Sequence, residues 1–103
     1  MNLEEQLTYE LHGTYEAARD RGYIATLFLQ MLEEHGGRET AKRLLAKSKP
    51  QTGLFELWNL GLLHQSMEAV VLQDKFKDLF TDDELAEAHK RLDELGYFQN
   101  KSS

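Results

Sequence analysis

The stretch that decides the fold reads GGRETAKRLL at residues 36–45, TGLFELW at 52–58 and SMEAVVL at 66–72. It opens with a diglycine, which frees the backbone to end one helix and turn into the next. Thr52 and Ser66 each precede an apolar pattern, and both residue types often cap helix N-termini. These start and stop signals predict a succession of helices.

Toward the N-terminus the same periodicity continues. Apolar residues recur at three- and four-residue spacing from Leu3 to Ala18, which predicts a helix with one buried stripe. We expect this helix to end near Gly22. Gly13 lies inside this stripe, and we expect it to mark a close helix crossing.

Two further helices are expected over about 23–34 and 38–47, on either side of the diglycine. Pro50 prevents the second of these from continuing. The helix over 23–34 has a wide apolar face. This face comprises Ile24, Leu27, Phe28, Met31 and Leu32.

The C-terminal part contains the clearest local signal, TDDE at residues 81–84. Threonine at the cap and glutamate three residues later form a capping box, which predicts a helix that ends near Gly96. The run VVL at 70–72 is compatible with a strand in isolation, but its helical flanks favour a helix. The fold class is therefore all-α: a compact bundle of about five to six helices, with residues 1–103 as one domain and about 98–103 as a frayed tail.

Composition fits a folded domain. The chain has 103 residues, of which 41% are hydrophobic and 29% charged, a balance that argues against disorder. It has no cysteine, which excludes disulfides and thiolate metal sites and fits a reducing cytoplasm, where we expect the protein to act. An acidic N-terminus and the lack of a run of about 18 apolar residues argue against a signal peptide and a membrane partner.

Charge is unevenly distributed along the chain. The net charge is −6, yet residues 38–49 carry five basic residues against one acid. This basic stripe and the free N–H groups after a diglycine favour an anion-binding site. The predicted residues of that site are Gly36, Gly37, Arg38, Lys42, Arg43 and Lys47. The other interpretation is that the stripe is an ordinary solvated helix face after an ordinary turn.

Residues 38–63 also have the outline of a helix-turn-helix, which raises the alternative of a nucleic-acid-binding regulator. The second helix of this element contains no arginine or lysine, and it is unusually apolar for a helix that reads the major groove. The acidic remainder of the chain would repel phosphates. Nucleic acid is therefore the less favoured partner.

No set of residues with the pattern of a catalytic site is visible, so we predict no catalytic residue, no cofactor and no metal. Three histidines have a carboxylate four residues on, but no pair has a third ligand in sequence. No serine lies in a glycine-flanked elbow, and GGRE at 36–39 lacks the residues of a phosphate-binding loop. His64 lies between apolar segments, and we expect it to be partly buried.

The chain has more large apolar residues around the fourth helix than one short helix needs to bury. Such a surplus favours a protein–protein interface, either with another protein or with a second copy. The predicted partner-binding residues are Phe55, Trp58, Leu62 and Leu63. The alternative is that they fill the core. On balance the sequence predicts a non-enzymatic interaction module.

A longer pattern covers roughly residues 10–97: GY-x-x-T-x-FLQML-x-x-HGG-x-x-x-AKRLL, followed by GL-x-x-LW and EA-x-VL. In this pattern the chain resembles a widespread family of small bacterial proteins of unassigned function. The resemblance implies an accessory role in a bacterial system, such as host defence or regulation, and implies no reaction or cofactor. Where that family often has a charged turn after the tryptophan helix, this chain has LLHQ at 62–65.

Overall fold

Helices make up the regular structure of the computed structural model, which describes residues 1–47 and 52–99. The α-helices are α1 (Leu3–Asp20), α2 (Thr26–Leu45), α3 (Thr52–Asn59), α4 (Met67–Val71) and α5 (Asp82–Glu94). Short 3-10 helices at Leu63–Gln65 and Asp74–Leu79 connect the later ones. The described residues contain no strand, which confirms the all-α prediction. The predicted turn at 48–51 and most of the predicted tail, 100–103, lie outside the described residues.

Helix α2 is broken at the diglycine. Gly36 has φ 77° and ψ 171°, a conformation that interrupts the helix and that glycine adopts without steric strain. We therefore treat α2 as a first half, residues 26–35, and a second half, residues 37–45. This division agrees with the prediction of two helices flanking the diglycine, and the described residues then hold six α-helical segments.

The close helix crossing lies at Gly37, and the prediction that Gly13 marks it is wrong. A Cβ atom built on Gly37 would lie 2.8 Å from the Cα atom of Thr8 on α1, whereas one on Gly13 would meet nothing within 4 Å. The Gly37 N–H also donates to Thr8 Oγ1 at 2.8 Å. The absence of a side chain at Gly37 thus lets the second half of α2 approach the backbone of α1.

Side-chain caps fix where three helices begin. The predicted capping box is present, since Glu84 N–H donates to Thr81 Oγ1 (3.1 Å) and Thr81 N–H donates to Glu84 Oε1 (2.9 Å). Ser66 Oγ accepts from Ala69 N–H at 3.2 Å and caps α4, as predicted. A second capping box, between Asn2 and Glu5, starts α1.

The main core forms where α1 packs against the second half of α2, α4, α5 and the second 3-10 helix. Leu7 and Leu11 supply the buried stripe of α1, and Phe76 is fully buried between the helices. Two smaller apolar clusters lie at α3, around Leu57 on one side and Leu54 on the other. None of the described helices combines the length and the apolar composition that a bilayer crossing requires.

Candidate functional site: an apolar groove beside the first half of α2

A groove of about 540 Å³ opens between α1, the first half of α2 and α3. Its floor includes the start of α4, and Leu44 and Lys47 lie at the other end of α2. The side chains that line it are mostly apolar. They are Tyr15, Ala18, Tyr23, Ile24, Ala25, Leu27, Phe28, Met31, Leu44, Leu54, Leu57 and Met67, with Thr14, Thr26, Thr52, Lys47, Gly53 and Glu68. Small-molecule and peptide sites share this apolar, concave character.

Two large apolar residues of the groove are open to solvent. Leu27 is 75% exposed and Ile24 is 54% exposed, and both belong to the wide apolar face predicted for this segment. Of that face the first half of α2 buries only Leu32 fully, and Phe28 and Met31 are half-buried. The apolar face of this segment is therefore wider than the part of it that the rest of the chain covers.

The connection between α1 and α2 positions Ile24 and Leu27. Gly22 adopts φ 96°, and Tyr23 N–H donates to Ala18 O at 2.9 Å, which turns the chain sharply at the end of α1. Arg21 Nη1 donates to Leu60 O at 3.1 Å and ties this turn to the end of α3. Ile24 and Leu27 thus follow a turn that hydrogen bonds fix to α1 and to the end of α3.

At the floor of the groove lies a buried carboxylate, Glu68, paired with Arg91 of α5. Arg91 Nη1 and Glu68 Oε2 are 3.2 Å apart, and the two side chains are 3% and 4% exposed. Glu87, one turn before Arg91, accepts from Arg91 Nε at 2.8 Å. A pair this deeply buried requires several partners to offset the loss of hydration.

Arg91 finds those additional partners at the end of α2. Its Nη2 donates to Leu44 O at 3.1 Å and to Lys47 O at 2.9 Å. These carbonyls belong to the last turn of α2 and to the residues after it, where the helix no longer supplies its regular hydrogen-bond donors. Arg91 therefore joins α2, α4 and α5 through one guanidinium group.

Burial raises the pKa of Glu68 above its ordinary value of 4.5, and the hydrogen bond at its own backbone and the charge of Arg91 offset this effect only in part. The nearby charge of Glu87 also raises this pKa. The raised pKa agrees with a buried carboxylate whose cation, Arg91, also pairs with Glu87. The Glu68 carboxylate is 4% exposed and pairs with Arg91 in the interior.

The predicted anion-binding residues have other partners in the structure. Arg38 pairs with Glu4 at 3.0 Å, Lys42 with Glu84 at 2.7 Å and Arg43 with Glu39 at 2.9 Å. Gly36 and Gly37 line a cavity of about 360 Å³ together with two carboxylates, Glu4 and Glu39. The Gly37 N–H already donates to Thr8 Oγ1, so it is not free to bind an anion. The carboxylates beside the diglycine also offset the nearby positive charge. Lys47 is separate from this cluster and lines the groove instead.

The predicted partner-binding residues divide into two pairs. Leu62 and Leu63 are buried in clusters around α3, which contradicts their prediction as partner-binding residues and agrees with the alternative that they fill the core. They are buried because the chain turns back at Gly61 (φ 74°) and carries both leucines under α3. Phe55 and Trp58 remain exposed, and their three-residue spacing places them on one face of α3.

Histidines do not assemble a site. His64 is exposed, contrary to the prediction that it is partly buried, because its neighbours Leu62 and Leu63 take the interior positions. His89 stacks on Phe98 with ring centroids 4.3 Å apart. Over residues 1–47 and 52–99, histidine, aspartate and glutamate nowhere form a group of three able to hold a metal ion.

Neither family models, nor curated proteins, nor solved structures give a match to this chain. Sequence reasoning missed Ile24 and Leu27 as surface residues and missed Arg91 altogether. The available signal was the width of the apolar face at 24–32, which exceeds one helical stripe.

Proposed function

We propose that this chain is a non-enzymatic helical interaction module that acts by protein–protein association through the apolar groove. The supporting observation is the exposure of Leu27 and Ile24 at the edge of a groove that is itself mostly apolar. Scattered exposed apolar residues are ordinary on protein surfaces, but a contiguous patch that continues into a concave surface is typical of binding sites. Burying these side chains against a partner removes apolar area from water.

The proposal favours a different protein over a second copy as the partner. Each chain carries a net charge of −6, so two copies repel each other unless the interface compensates. Phe55 and Trp58 offer a second exposed apolar pair on α3, and they extend the surface available to a partner. The bacterial, cytoplasmic accessory role implied by the sequence resemblance, including a place in host defence or regulation, belongs to the same proposal.

Co-purification from the native host tests this function. Leu27→Gln removes an exposed apolar side chain at the groove, and Tyr9→Gln removes one of similar exposure (70%) on α1 outside the groove lining. We expect Leu27→Gln to lose a partner that the wild type and Tyr9→Gln retain. Light scattering after size exclusion shows whether that partner is a second copy. Equal recovery of the partner with both variants would contradict the proposal.

The nucleic-acid alternative has less support. Three of the five basic residues of the stripe, Arg38, Lys42 and Arg43, already pair with carboxylates. A salt titration of binding to duplex and single-stranded nucleic acid tests it directly. Binding that weakens steeply with salt would revive this alternative.

A further inference from the structure

We infer that the groove binds a helical segment of the partner protein whose apolar face ends in a carboxylate, and that this carboxylate pairs with Lys47. The inference rests on the proposed function and specifies the chemistry of the segment that docks. In binding of this kind, apolar side chains spaced three or four residues apart enter a groove between helices. Since residues 1–47 and 52–99 contain no strand edge that a partner could extend, a helix is the segment that fits this surface.

The walls of the groove provide the apolar contact that such a helix needs. They come from α1, the connection to α2, the first half of α2 and α3. Leu27 and Ile24 are the most exposed large apolar side chains of the lining. The volume of about 540 Å³ lies in the range of ligand sites, so it can admit the side chains on one face of a helix while the other face stays in water.

The lining of the groove offers one charge to a partner. Among the described residues, only Glu68 and Lys47 are charged side chains that line it. Glu68 is 4% exposed and is paired with Arg91, so a partner does not reach it. Lys47 is exposed and has no ion pair within the described part of the chain. A carboxylate complements this ammonium group, and a cation at the same place would be repelled by it.

Arg91 holds the backbone at Lys47 and leaves the lysine side chain free. Arg91 Nη2 donates to Lys47 O at 2.9 Å and to Leu44 O at 3.1 Å. The carbonyls at the end of a helix carry the negative end of its dipole, which disfavours a nearby anion. Because the guanidinium already binds these carbonyls, it reduces that repulsion, and the Lys47 ammonium is available to a carboxylate.

The net charge of −6 limits how acidic the docking segment can be. A segment with many acids would be repelled by the rest of the chain. At physiological salt this repulsion is screened beyond about 8 Å, whereas a carboxylate in contact with Lys47 is screened much less. The charge distribution therefore favours a single carboxylate at the end of the apolar face over a run of acids.

Fluorescence anisotropy with labelled peptides tests the inference on the full chain. The probes are end-capped helical peptides of about 14 residues, or about four turns, with one leucine stripe and a polar face of glutamine and serine. They differ at one position at the end of the stripe, which is glutamate, glutamine or lysine. One set has this position at the N-terminal end and a second set has it at the C-terminal end.

In the set that brings this position to Lys47, the glutamate peptide should bind about three- to fivefold more tightly than the glutamine peptide. The lysine peptide should bind more weakly than either. Raising the salt concentration should reduce the difference between the glutamate and glutamine peptides.

Variants at position 47 assign the preference to this residue. With Lys47→Gln the glutamate and glutamine peptides should bind within about 1.5-fold of each other, and Lys47→Glu should reverse the preference in favour of the lysine peptide. Lys90→Glu, at an exposed position of α5 outside the groove lining, changes the net charge by the same amount and should keep the original order. Arg91 binds the backbone oxygen of Lys47, so the variants retain that hydrogen bond, and circular dichroism melting checks that they fold.

Leu27→Gln shows whether the peptides occupy the groove. It should weaken the affinity for every peptide of the set about five- to tenfold, because each uses the same leucine stripe. Tyr9→Gln, at an exposed position of α1 outside the lining, should leave these affinities within about twofold.

The outcomes separate this inference from the proposed function. If binding depends on Leu27 but the glutamate peptide has no advantage in either set, or keeps its advantage in Lys47→Gln, the groove is a docking site and the inferred carboxylate is wrong. If Lys90→Glu reverses the preference as Lys47→Glu does, the effect is one of net charge and the inference fails. If no peptide binding depends on Leu27, the inference and the groove as the docking site are both overturned.

Discussion

The two halves of α2 have the same length to within a residue but opposite roles in the structure. The second half is held on every side: Gly37 contacts the backbone of α1, Lys42 pairs with Glu84, and Arg91 caps the last carbonyls. The first half buries one leucine fully and leaves Leu27 and its neighbour Ile24 in solvent. The diglycine thus separates a segment that is held firmly in the fold from one that leaves apolar side chains exposed, and the proposed docking depends on the second segment.

The largest expected effect comes from removing the cation that holds the second half. Arg91→Met leaves Glu68 buried without its countercharge and removes the hydrogen bonds from Arg91 to the carbonyls of Leu44 and Lys47. We expect a loss of about 3–5 kcal/mol in the free energy of unfolding, measured by urea denaturation. Lys90→Met, at the exposed neighbouring position, is the control and should change stability by less than about 0.5 kcal/mol.

A double variant shows whether the charge or the packing matters. In Arg91→Met/Glu68→Leu no buried charge is left unpaired between these two positions, so part of the stability should return. If the double variant is as unstable as the sum of the two single ones, the pairing explanation is contradicted.

Gly37→Ala should have the next largest effect. The added Cβ would lie 2.8 Å from the Thr8 Cα atom, and because both atoms belong to backbone or sit next to it, the helices must separate. Overpacking of this kind typically costs about 1–3 kcal/mol. Thermal and urea unfolding measure it.

Gly13→Ala provides the matched control for the same helix pair. Its Cβ meets nothing within 4 Å and the position is helical, so alanine should stabilise the fold by about 0.5–1 kcal/mol. Similar losses at both positions would mean that the close approach at Gly37 does not exist.

The pH dependence of stability sharpens the comparison further. Because the pKa of Glu68 is raised, the folded protein keeps a proton that the unfolded chain loses above about pH 4.5. The contribution of Glu68 is thus full below that pH and is lost as the pH rises through its raised pKa. Burial raises the pKa values of Glu10 and Glu84, but the hydrogen bonds and charges of Lys75 and Lys42, together with hydrogen bonds from Gln73 and Thr81, outweigh burial and lower both pKa values. These two groups therefore act in the opposite direction to Glu68.

A comparison with Glu68→Gln isolates this contribution. The free energy of unfolding of the wild type minus that of Glu68→Gln should decrease as the pH rises from 4.5. Denaturation curves at a series of pH values measure the difference. A difference that increases with pH would show that the pKa of Glu68 is lowered by Arg91 instead.

The smallest effect on stability is expected in the first half of α2. Leu27→Gln should change the free energy of unfolding by less than about 0.5 kcal/mol, because its side chain makes few contacts within the chain. Leu32→Ala, at a fully buried position in the same segment, is the contrast. It should lower the free energy of unfolding by about 2–5 kcal/mol, and urea denaturation of both variants measures the difference. Comparable losses at both positions would show that Leu27 is part of the core.

Local signals in the sequence were enough to predict the helices. The capping residues Thr81 and Ser66 and the diglycine act within a few residues of the chain, so their effects can be inferred without tertiary structure. The burial of Leu63 and the exposure of Leu27 depend on which helix packs against which, and apolar periodicity does not contain that information. The role of Arg91 is equally non-local, since its partners lie on α2 and α4.

Site-specific photo-crosslinking in living cells of the native host tests the central claim most directly. Leu27→p-benzoylphenylalanine places a photoreactive group at the edge of the groove, and Tyr9→p-benzoylphenylalanine places one on α1 away from it. The account predicts a discrete covalent adduct with one partner protein from position 27 and none from position 9, with the crosslinked peptide of the partner identified by mass spectrometry. Equal adducts from both positions, or none from position 27, would contradict it.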